Sequence, residues 1–125
     1  MKKVINTTNA PAPIGPYSQA VQTGNMLFVS GQIPIDPATG ELISDSIEAE
    51  AKQVMKNLEA VLTEAGATFG NIVMTTIFLS DMNDFAAVNA VYGTYFTADF
   101  PARATVAVKT LPKSVNVEIS VIAAL

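Results

Sequence analysis

Apolar positions along the chain follow two periods. From Ala51 through Val54, Met55, Leu58, Val61 and Leu62 to Ala65 they recur at steps of three and four, which predicts a helix of about four turns with one buried stripe. Asp45 with Glu48 resembles a capping box at its start, and Gly66 supplies its stop. A second helix is expected to begin at Asn83 or Asp84, to carry Phe85, Val88, Tyr92, Tyr95 and Phe96 on one face, and to end at Phe100-Pro101.

The other apolar runs are short and rich in β-branched residues. Tyr17 to Thr23 and Met26 to Ile33 flank a turn at Gly24-Asn25 and read as a hairpin. Asn71 to Ser80 is β-branched on both faces, as in a strand buried from both sides. Arg103 to Lys109 and Val115 to Ala123 read as strands joined by Thr110 to Ser114, hence as antiparallel neighbours. Three prolines within Ala10 to Pro16 make that stretch an extended lead-in, and Pro34 to Gly40 is a turn-rich loop. The order ββαβαββ predicts an α+β fold, a mixed sheet with two helices on one face.

Length and composition sharpen this picture. The 125 residues suit one domain spanning 1–125, without repeats or a low-complexity linker. Charged residues are only 14% of the chain, too few to cover both the helices and a bare sheet face, so that face is expected to be buried in a homo-oligomer. Seven Lys plus Arg against eleven Asp plus Glu give a net charge of −4, which opposes capture of nucleic acid or an anionic membrane. The absence of Cys, His and Trp removes thiolate and imidazole chemistry and the usual metal ligands, so no metal is expected. No export signal or membrane-length apolar run is apparent, and the expected compartment is cytoplasmic.

Arg103 is the only arginine, at the head of a strand written in small and apolar residues. A guanidinium there needs a carboxylate, a subunit contact or an anionic ligand, which leaves a structural ion pair and a ligand site both open. Glu118 is the only acid after Asp99, on the polar positions of its strand. In one pairing register Arg103, Thr105 and Glu118 share a face, and a slip of one residue separates them. Tyr17 after Gly15-Pro16, Ser30-Gly31 inside an apolar run, and Asn89 on the second helix are each more often structural when taken alone.

Together, Ala12-Pro13-Ile14-Gly15-Pro16-Tyr17-Ser18-Gln19-Ala20, Val29-Ser30-Gly31-Gln32-Ile33-Pro34, Phe100-Pro101-Ala102-Arg103, and Leu111-Pro112-Lys113 leading to Val117-Glu118-Ile119 resemble the RidA, or YjgF, family. The likeness runs from about Ile5 to Ala124 and extends to Asn83-Asp84-Phe85 and Val88-Asn89-Ala90. It implies a chorismate mutase-like fold assembled as a homotrimer, with ligand clefts between subunits. It also implies hydrolysis of enamine and imine intermediates such as 2-aminoacrylate and 2-aminocrotonate, released by pyridoxal-phosphate-dependent dehydratases, to 2-oxo acids and ammonia without a cofactor.

Carried over, Arg103 holds the substrate carboxylate and Glu118 positions or deprotonates water. Tyr17, Ser30, Gly31, Asn89 and Thr105 bind substrate or shape the cleft. Two positions depart from the family: Thr105 stands where many members have Cys, and Ser120 where many have a second Glu. A different class of function, a module that binds a 2-oxo acid without turnover, would use the same Arg103. A third, action on RNA, is opposed by the charge balance and the lack of a basic or aromatic stripe.

Overall fold

The computed structural model describes all residues, Met1–Leu125. Six strands, β1 (Lys2–Ile5), β2 (Ala20–Thr23), β3 (Met26–Gln32), β4 (Ile72–Leu79), β5 (Ala102–Ala107) and β6 (Val117–Ala124), form one sheet in the order β1-β2-β3-β6-β4-β5. All neighbours are antiparallel except β4 and β5, so the sheet is mixed, as expected. Helices α1 (Ile47–Glu64) and α2 (Phe85–Gly93) lie over it, and a core cluster of 22 buried residues fills the interface. The core-facing stripe of α1 includes Ala51, Val54, Met55, Leu58, Val61 and Leu62, the periodic positions of the sequence. No helix is long and apolar enough to cross a membrane.

Several local expectations are corrected. The amino terminus adds a sixth strand: Val4 pairs with Val21 and Ile5 is buried, while the lysine pair Lys2-Lys3 sits on the sheet edge. Edge lysines discourage pairing with another chain. The N-cap of α1 is Ser46, not Asp45, and its side chain accepts the Ala49 N–H at 3.0 Å. Helix α2 stops at Gly93, and Tyr95 and Phe96 lie beyond it in an aromatic cluster with Phe69 and Tyr92.

The largest correction concerns β5 and β6, which are not neighbours because β4 lies between them. A strand, helix, strand unit pairs in parallel, and this local rule seats β5 beside β4. Strand β4 is covered on one side only: Thr75, Ile77 and Leu79 are buried under the helices, while Thr76 and Phe78 face the other way and are half-buried. That open face is written in Val4, Val21, Phe28, Ile122, Met74, Phe78 and Val106, by the cross-strand register. Glu118, paired with Phe78, is the acid that this face carries.

Candidate active site

Strand parity places the candidate residues in two groups on opposite faces of the sheet. Thr75 stands opposite Arg103 on β5 and opposite Val121 on β6, so Arg103 shares the helix-covered face with Val121. Glu118, an odd number of residues from Val121, faces the other way. The two are not partners within one chain: of the two registers left open by the sequence, the one that separates Glu118 from Arg103 and Thr105 is formed.

The Arg103 group is built on β5 and α2. Asn89 Oδ1 accepts a hydrogen bond from Arg103 Nη1 at 2.6 Å. The guanidinium carbon lies 5.6 Å from the Phe85 ring centre and 5.2 Å from that of Tyr92, within cation–π range. Phe85, Asn89 and Tyr92 follow one another by four and three residues, and so stand on one side of α2. Tyr92 is itself anchored, its hydroxyl donating to Thr75 Oγ1 at 2.9 Å, and burial pushes its phenol pKa up, keeping that proton in place. None of these partners is a carboxylate, so the fork of the exposed Arg103 keeps donors for an outside anion. An open cleft of about 440 Å³ leads to it, lined by Asn89, Tyr92, Gly93, Phe100, Pro101 and Arg103. Thr105, two residues along β5, has its hydroxyl buried with no hydrogen-bond partner.

The Glu118 group is gathered by β3, β6 and two loops around a second cleft of about 510 Å³, which also admits Tyr17, Ser30, Gly31 and Lys113. The ladder between β3 and β6 shifts between Val29 and Gln32, leaving Ser30 and Gly31 as a bulge. The bulge is pinned to the preceding segment: Ser30 N–H donates to Gln19 O at 2.9 Å and Ser30 Oγ to Ser18 O at 2.6 Å. Gly31 has a steric reason to be glycine, since a Cβ there would lie 2.8 Å from Glu118 Cδ and overlap the carboxylate oxygen. Tyr17 is exposed, and its hydroxyl oxygen accepts the Ile14 N–H at 3.3 Å. Burial alone raises the Glu118 pKa above the ordinary carboxylate value.

Sequence reasoning missed Phe85 and Tyr92 beneath Arg103, although their helical spacing from Asn89 was a usable signal. It also left Ile14, Ile33, Pro112 and Lys113 out of the Glu118 cleft. Lys113 and Ser114 are both left-handed, at φ 54° and 56°, a conformation costing non-glycine residues roughly 1–2 kcal/mol each. No sequence signal announces that turn. No three acids gather into a group that could hold a metal ion.

A mixed six-stranded sheet with two helices on one face, an arginine cleft on that side and a carboxylate cleft on the other, describes a small α+β protein with two candidate clefts. The chain belongs to the endoribonuclease L-PSP family, whose profile matches residues 7–125. It is 52% identical over 126 residues to a 2-iminobutanoate/2-iminopropanoate deaminase of Escherichia coli (strain K12), covering 98% of each. A mouse (Mus musculus) protein of the same name is 51% identical over 123 residues, covering 98% of this chain and 91% of its own. The solved structure of YyfA of the conserved Rid protein family from Yersinia pestis superposes with a TM-score of 0.98 at 52% identity, covering 100% of both chains. The Rid resemblance read from the motifs is borne out.

Proposed function

We propose that this protein is an enamine and imine deaminase. It acts as a cytoplasmic homotrimer of single-domain chains, each cleft joining the Arg103 side of one chain to the Glu118 side of the next. The observation that carries this reading is the division itself: an arginine with only neutral partners and a half-buried carboxylate occupy opposite faces of one sheet. The apolar open face around Phe28, Phe78 and Val106 supports assembly, and the relatives' printed activity supports the chemistry.

The substrate class is a small 2-imino acid, formed when its enamine tautomer takes a proton at carbon. Arg103 binds the carboxylate through two charge-assisted hydrogen bonds while Asn89 and the Tyr92 ring hold the guanidinium plane. A water between Glu118 and the imine carbon attacks that carbon, its proton passing to the carboxylate while a proton from solvent goes to the nitrogen. The resulting carbinolamine then collapses: Glu118 gives its proton to the nitrogen, the carbon–nitrogen bond breaks as the hydroxyl proton passes to solvent water, replacing the one taken up earlier, and ammonia departs. The products are a 2-oxo acid and ammonia. The reaction is a hydrolysis without electron transfer, and this reading uses no cofactor. Tyr17, Ser30 and Gly31 shape the water side of the cleft, and the unpartnered Thr105 hydroxyl lies on the carboxylate side.

The test adds purified protein to a working serine or threonine dehydratase, with semicarbazide as a trap. Wild type is expected to speed oxo-acid release and reduce trapping. Arg103→Lys is expected to lose about 100-fold or more in kcat/KM while its melting temperature stays near wild type, because a point charge does not reproduce the planar fork. No effect of wild type on several amino-acid-derived imines sinks the deaminase reading and leaves the binding module in its place. The family description names an endoribonuclease, but a chain with net charge −4 is expected to show no salt-sensitive RNA retention.

A further inference from the structure

A buried carboxylate that lines neither cleft is bonded to Asn116, the residue before β6. The buried polar side chains are Gln19, Gln32, Glu50, Asn57 and Thr75, and Glu50, 3% exposed near the start of α1, is the charged one among them. A carboxylate removed from water is costly unless its oxygens are bonded. Glu50 directs both to a single residue: Oε1 accepts the Asn116 backbone N–H at 3.0 Å, and Oε2 accepts from Asn116 Nδ2 at 2.6 Å. Ser80, just past β4, holds the same residue from the other side. Its N–H donates to Asn116 O at 3.1 Å and its hydroxyl donates to Asn116 Oδ1 at 2.8 Å. Each of the four polar groups of Asn116 is therefore engaged, although the residue lies at the surface.

Asn116 stands at a critical point in the chain. Behind it is the left-handed pair Lys113 and Ser114; ahead of it β6 begins, with Val117 opposite Leu79 and Glu118 opposite Phe78. A slip of one residue at this end would carry Glu118 from the open face to the helix-covered face. We propose that Glu50, acting through Asn116 with Ser80, is a positioning residue for Glu118, fixing the register and angle at which β6 presents that carboxylate to its cleft. The proposal rests on the reading of Glu118 as the water-activating base.

The experiment compares Asn116→Asp, which sets two carboxylates face to face, with the double variant Glu50→Gln, Asn116→Asp, in which the introduced amide N–H donates to the new carboxylate, reversing the side-chain bond, while the amide oxygen still accepts the backbone N–H of residue 116. Asn116→Asp is expected to lower kcat about tenfold or more with KM within about twofold, since Arg103 binds substrate from the other face. The double variant is expected to recover most of kcat. If Asn116→Asp does not fold, Ser80→Ala, which removes one bond of the four, is expected to lower kcat with KM unchanged. Folded single variants with wild-type kcat overturn the proposal, as does a loss that the double variant fails to rescue. Glu118→Gln is measured alongside: full turnover there sinks the base reading itself, whereas its loss beside an unaffected Asn116→Asp sinks the positioning role alone.

Discussion

Gly31 and Glu118 form a mutually dependent pair. A methyl group on Gly31 would overlap the Glu118 carboxylate, so Gly31→Ala is expected to cost about 1–3 kcal/mol in thermal or chemical unfolding and to lower kcat by displacing the base. Burial raises the Glu118 pKa, and this has two signs to keep apart. For turnover the ionised form is needed, so activity is expected to fall as pH drops through that raised value, giving an acid limb above the ordinary carboxylate range. For stability the protonated form is the better buried, so the contribution of Glu118 is fully present at pH below its unfolded pKa and lost as pH rises through the folded one. Glu118→Gln should therefore melt higher than wild type near neutral pH, with the difference closing in acid; an equal or lower melting temperature at neutral pH would contradict the burial argument.

At the scale of elements, local patterns carried most of the fold. The three- and four-step stripe of α1, the hairpin at Gly24-Asn25 and the β-branched β4 all express contacts between residues close in sequence, and all are present. Partner choice across the sheet was not legible in the same way. The short link from Thr110 to Ser114 suggested a hairpin, but the chain crosses the end of β4 before entering β6, with Val108 N–H donating to Leu79 O. The parallel β4 and β5 pair was within reach of the strand, helix, strand rule; the insertion of β6 between β3 and β4 was not. This is also why Arg103, Glu118, Tyr17 and Ser30-Gly31 were recognisable by type while their division between two faces was not. The cap of α1 offers a check at this scale: Ser46→Ala is expected to lose about 1 kcal/mol of stability, a few degrees in melting temperature, with kcat unchanged.

For the whole molecule, placing the two clefts on opposite faces makes the proposed site a property of neighbours. Arg103→Ala and Glu118→Ala chains are each expected to be inactive as purified. Mixed as unfolded chains and refolded together, they should regain about a quarter of wild-type turnover, the fraction of clefts that draw an intact arginine and an intact carboxylate from different subunits. Recovery near zero would place both groups of a working site on one chain. In the proposed trimer the same arrangement would tie catalysis to mass action: a newly made chain is expected to be folded yet idle, and on dilution below the assembly constant turnover per chain is expected to fall with roughly the square of concentration while each sheet and its core stay intact.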